Sequence, residues 1–145
     1  GDFVATVKVA EYAGTEDAWV FYNTCGLMAR AMPEDAGVGE DWVSLDYFPL
    51  YSCGNFVRIA DEDARTEIGH NGKAFNLDPY MQIEREGNTM HFRTSTDGIS
   101  WTELGVSPIV RDDFDGVPLQ VGLFQATYSA DQGYAAFDDF ALETP

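Results

Sequence analysis

Cations are scarce in this 145-residue sequence: 8 Lys plus Arg stand against 25 Asp plus Glu, a formal charge of −17, and Lys8 and Lys73 are its two lysines. A field of that sign repels phosphate backbones and anionic lipid headgroups, which excludes nucleic acid and acidic membranes as partners. Long apolar runs are also lacking. A stretch such as Val117 to Phe124 falls far short of the ~20 residues a spanning helix needs, and no basic segment followed by an apolar one opens the chain, so neither anchor nor export signal is expected. Histidine and cysteine are rare, and His70, His91, Cys25 and Cys53 are scattered without the close pairs of a zinc site. Neither histidine lies near a cysteine or a Gly-x-Ser-x-Gly turn, which removes the usual nucleophile and base pairings. No window of 11 or more residues holds an apolar stripe of period 3.6, so helices are not expected either.

What is present is a core's worth of apolar side chains, 45% of the sequence with 14% aromatic, enough to exclude wholesale disorder and to fill one domain spanning residues 1–145. Period-two alternation recurs along the whole length between Gly, Asn and Asp punctuation, which predicts an all-β fold. Strands are expected at Phe3 to Tyr12, Trp19 to Phe21, Gly26 to Ala31, Trp42 to Phe48, Asn55 to Ala60, Tyr80 to Glu86, Thr89 to Thr94, Leu119 to Ala126 and Gly133 to Leu142. Gly87-Asn88, between two alternating runs, predicts a tight hairpin. Residues 31–41 and 61–79 carry Pro, Gly and acids without periodicity and are expected as loops.

Several segments carry a resemblance. Gly26-Leu27-Met28-Ala29-Arg30, the run from Tyr80 to Thr89, Ser95-Thr96-Asp97-Gly98-Ile99-Ser100-Trp101, Val121-Gly122-Leu123-Phe124 and Ala136-Phe137-Asp138-Asp139-Phe140 resemble, in order, the concanavalin A-like lectin/glucanase sandwiches, particularly their small LamG-like and DUF1349-like modules. The resemblance implies a two-sheet antiparallel β-sandwich of jelly-roll type, found in lectins, hydrolases and spacers alike. The Asp97-Gly98 turn and Trp101 are read as architecture. Hydrolases of that class hold two carboxylates on one strand face, ~5–5.5 Å apart in the retaining type. Here Trp42 to Phe48 offers Asp46 alone, and Asp61-Glu62-Asp63 is contiguous, so no enzyme is expected.

In a sandwich each strand hides one face. With Leu27, Ala29, Val43, Leu45, Val57, Ile59, Met81 and Ile83 inward, the outward set holds Arg30, Asp46, Phe48, Arg58, Tyr80, Gln82 and Glu84, together with Met28, Ser44, Phe56 and either Gln120 or Gln125. Planar polar groups that bond hydroxyls in pairs, beside rings that stack on sugar C–H faces, describe a neutral-glycan site. The competing reading is a solvated ladder of ion pairs. Placement of Arg30, Arg58, Arg85 and Arg93 inside strands of so acidic a chain favours the glycan site.

The resemblance also implies a structural calcium near the last strand, at Asp138 or Asp139. A second acidic run, Arg111 to Gly116, reads equally as a turn, and Tyr51, Tyr128 and Tyr134 as ligand-flanking or as edge packing. Cys25 and Cys53 permit one disulfide or two separate buried thiols. The strand order puts both near one sheet end, and a bridge is expected with an extracellular or cell-surface location. The expected function is a non-catalytic extracellular module binding a neutral polysaccharide or oligosaccharide. The alternative is a structural subunit that self-associates through edge strands into a filament or surface layer, or binds other proteins.

Overall fold

The structure, a computed structural model, describes residues 1–13, 24–32, 40–48, 54–61, 64–70, 78–126 and 133–145. Its strands are β1 (Phe3–Ala13), β2 (Thr24–Ala31), β3 (Trp42–Phe48), β4 (Gly54–Asp61), β5 (Ala64–His70), β6 (Tyr80–Glu86), β7 (Thr89–Ser95), β8 (Thr102–Glu103), β9 (Ile109–Val110), β10 (Leu119–Ala126) and β11 (Tyr134–Glu143). One sheet runs β11-β1-β6-β7-β8, with β9 also on β7, and the other runs β10-β2-β3-β4-β5. Every pairing is antiparallel. The chain is an all-β, two-sheet sandwich.

Alternation sets which face is hidden. Leu27, Ala29, Val43, Leu45, Val57, Met81 and Ile83 are all fully buried between the sheets, with Val7, Phe92 and Phe114, and each large aliphatic side chain so buried contributes about 1.5–3 kcal/mol. Tyr12 meets Tyr47 edge to face at 6.0 Å. The predicted hairpin forms: Glu86 pairs with Thr89, and Gly87 takes φ +61°, the angle a two-residue turn of this kind needs at its first central position. At the next turn, the Asp97 carboxylate accepts the Ile99 and Ser100 amides, each at 2.8 Å. Those bonds pull its pKa down to about 2, and the segment is architecture.

The expectation of a loop over 61–79 is corrected, because Ala64–His70 is the edge strand β5. Arg65, Thr66 and Glu67 give it no apolar alternation, and a register shift between Val57 and Arg58 breaks its period against β4. The expected strand at Trp19 to Phe21 lies outside the described residues.

Two buried arginines tie down one end of the sandwich. Arg85, on β6, donates to the carbonyls of Gly87, Phe114 and Val117 at 2.5–2.8 Å. Arg111 reaches the other sheet at the carbonyls of Trp42 (3.0 Å) and Ala60 (2.8 Å), pairs with Asp113 and lies 4.3 Å from the Phe114 ring centre. Arg85 therefore serves the fold, since its buried guanidinium spends its donors on three backbone carbonyls of the adjoining turn and of the 114–117 segment.

Candidate functional site

The seven outward residues expected to form one surface are divided between two sheets. Arg30, Asp46 and Arg58 lie on β2, β3 and β4 of the five-stranded sheet, whereas Tyr80, Gln82 and Glu84 lie on β6 of the other. Outer faces of a sandwich point away from each other, so the two groups cannot serve one ligand. Phe48, the last residue of β3, pairs with Gly54 of β4, and its side chain lies outside the described residues.

On the six-stranded sheet the outward groups bond one another. Arg93 donates to Gln82 at 2.8 Å and pairs with Glu84, Gln82 reaches the Thr6 hydroxyl at 3.4 Å, and Lys8 sits 5.5 Å from the Tyr80 ring centre. His91 and Glu103 meet at 2.7 Å alongside. This is the ion-pair ladder weighed against a glycan site, built on Arg93 rather than on Arg30 and Arg58.

The five-stranded sheet instead carries a cleft of about 580 Å³ on its outer face, where Trp42, Met28 and Phe124 supply apolar surface and Thr24, Ser44, Asp46, Arg58 and Arg30 supply polar groups. Alternation puts these side chains on one face: Thr24, Met28 and Arg30 share a parity on β2, as do Trp42, Ser44 and Asp46 on β3. Asp46 is fully buried. Its Oδ1 accepts the Ser44 hydroxyl at 2.5 Å, and its Oδ2 accepts the Thr24 hydroxyl at 3.0 Å and the Arg58 guanidinium. Burial pushes the Asp46 carboxyl above the ordinary aspartate value, while Arg58, Ser44 and Thr24 pull the other way. Arg58 is thus the counter-ion of a buried carboxylate, not a free hydrogen-bonding arm. Arg30 is exposed and donates through Nε to the Gln120 amide oxygen at 2.9 Å.

Sequence reasoning missed Thr24, Trp42 and Phe124. The signal was present for Thr24: the expected strand began at Gly26, and two residues earlier the same parity reaches the hydroxyl that holds Asp46. Nothing in the alternation marked Phe124, because its strand's facing follows from pairing with β2.

Asp138 and Asp139, where a structural calcium is expected, form no cluster with other ligating side chains among the described residues. They lie exposed on β11, and Asp138 Oδ1 already accepts the Asp139 amide at 3.0 Å. Asp41, Asp61 and Asp113 do approach one another, but Asp113 is paired with Arg111.

Cys25 is a free thiol, fully buried on the inner face of β2; Cys53, its expected partner, lies outside the described residues. Burial first, and the nearby Asp46 charge second, push the Cys25 thiol up to about 12, so little thiolate exists at neutral pH. Iodoacetamide at pH 8 is expected to leave Cys25 unmodified in the folded protein and to alkylate it in urea without reductant, as read by peptide mass spectrometry. Alkylation that appears only after reduction would show a bridge.

No family model and no curated protein matches this sequence. Solved structures do. A xylan β-1,4-xylosidase from Bacillus halodurans superposes with a TM-score of 0.71 at 16% identity over 99% of this chain. The GH43 protein BlXynB from Bacillus licheniformis gives 0.65 at 16% identity over 97%. A Saccharomyces cerevisiae protein of unknown function gives 0.58 at 16% identity, covering 99% of this chain and 70% of its own. The chain spans 28% and 27% of the two Bacillus proteins. At such identities the likeness establishes the shared sandwich fold, in agreement with the concanavalin A-like architecture expected from the motifs.

Proposed function

We propose that the chain is a non-catalytic, extracellular module that binds a neutral carbohydrate in the cleft of the five-stranded sheet. The observation carrying this reading is the cleft itself, in which hydrogen-bonding groups lie beside the apolar surfaces of Trp42, Met28 and Phe124. That mixture suits a ligand whose hydroxyls project sideways while its C–H faces stay apolar. The fold shared with segments of xylan-active and GH43 proteins adds support. A non-catalytic role is supported by the state of Asp46, since both its oxygens are engaged by Ser44, Thr24 and Arg58 and its carboxylate is not presented as an acid or nucleophile.

Retention on immobilised neutral polysaccharides, with no release of reducing sugar, is the expected result. Arg30→Ala is expected to weaken binding by about 1–3 kcal/mol, the worth of hydrogen bonds from a charged donor, with an unchanged melting temperature. Failure to bind any neutral glycan would sink the reading, and sugar release abolished by Asp46→Asn would overturn its non-catalytic part.

A further inference from the structure

Beside the cleft, on edge strand β10, lies a second hollow of about 330 Å³ bordered by Gln120 and Gly122, which shares Met28, Arg30 and Phe124 with the first. Strand register shows how the two connect. Arg58, Ser44, Met28 and Gly122 form one row across β4, β3, β2 and β10. The row on one side holds Trp42, Arg30 and Gln120, and the row on the other holds Asp46, Gly26 and Phe124. The central row ends at a residue with no side chain, and a Cβ built on Gly122 meets no atom within 4 Å.

We propose that the two hollows are one open-ended trough that takes a linear neutral oligosaccharide lying across the strands, with Arg30 as the donor at their junction. The proposal rests on the carbohydrate reading above and adds the shape of the ligand. Three inter-strand steps of ~4.8 Å make the trough about 14 Å long, roughly three pyranose rings. With no side chain projecting at the Gly122 end, a longer chain can run on past the trough there.

Arg30 suits the junction because its guanidinium is uncommitted. Among the described residues Arg58, Arg65, Arg93 and Arg111 each pair with a carboxylate, and Arg85 is occupied by three carbonyls. Arg30 bonds through Nε to the neutral Gln120, a tie that fixes the guanidinium plane and leaves both Nη groups to donate to adjacent hydroxyls.

The test is calorimetric titration with β-1,4-linked xylo- and cello-oligosaccharides of two to six units. Affinity in the series that binds is expected to rise about tenfold from two units to three and then level off. Gly122→Leu, placed on an exposed edge strand with room for its side chain, is expected to keep the melting temperature and disaccharide affinity while cutting tetrasaccharide affinity to the disaccharide level. Equal affinities at all lengths, or a Gly122→Leu variant that binds every length as the parent does, would overturn the trough and leave the carbohydrate reading standing. No binding of either series at any length would overturn the trough, while the carbohydrate reading is decided separately by retention on the wider set of immobilised neutral polysaccharides.

Discussion

Arg58→Ala is expected to destabilise the fold by about 3 kcal/mol, far more than loss of an exposed ion pair, because it strands a buried carboxylate. The Asp46 side chain is 1% exposed and that of Arg58 29%, so water entering the space Arg58 leaves replaces the lost cation only in part. Ser44 and Thr24 still donate, which holds the effect at the lower end of the range for broken buried pairs. Urea unfolding at constant m-value measures it. The deficit should also depend on pH with a definite sign. Without Arg58 the folded-state pKa of Asp46, already raised by burial, rises further. The folded variant then takes up a proton before the unfolded chain does, and the deficit shrinks as pH falls toward the ordinary aspartate value. Arg58→Ala combined with Asp46→Asn should recover much of the loss. A single variant within 1 kcal/mol of the parent at pH 7 would show that the pair is a solvated one.

Gly26→Ala is expected to cost at least as much, about 3–4 kcal/mol, through a different cause. A Cβ at Gly26 would stand 2.1 Å from the Leu45 carbonyl oxygen and 3.2 Å from the Asp46 Cα. That oxygen belongs to the backbone of the adjacent strand, so relief requires β2 and β3 to part where they carry Thr24, Ser44 and Asp46. Overpacking of a rigid site ranks among the large single-residue effects. Circular dichroism melts should show the loss, and an alanine variant melting with the parent would mean that the strands separate there at little cost.

How much of this was legible in the sequence depends on which physical signal carried it. Period-two alternation is local, and it placed Trp42–Phe48 and Tyr80–Glu86 to the residue and assigned Leu27, Val43 and Met81 inward. It says nothing about which strand joins which sheet, and that single ambiguity merged Gln82 and Glu84 with Asp46. The arginines inside strands were read too uniformly. Arg58 neutralises a buried acid, Arg85 bonds three carbonyls, Arg93 bonds its own sheet, and the exposed Arg30 donates to the neutral Gln120. Only tertiary pairing distinguishes those roles, because the same guanidinium serves all of them. β5 was hidden for the opposite reason: an edge strand with polar residues on both faces leaves no period to read.

The place of β1 bears on how the molecule is made. It sits between β6 and β11, so β1 acquires its second neighbour only once β11 (Tyr134–Glu143) has been made. Until then one edge of a strand bearing Phe3, Val7 and Val9 offers unpaired amides and carbonyls to any similar chain. A charge of −17 spread along 145 residues keeps nascent copies apart over that interval, so the scarcity of cations protects the chain before it is folded.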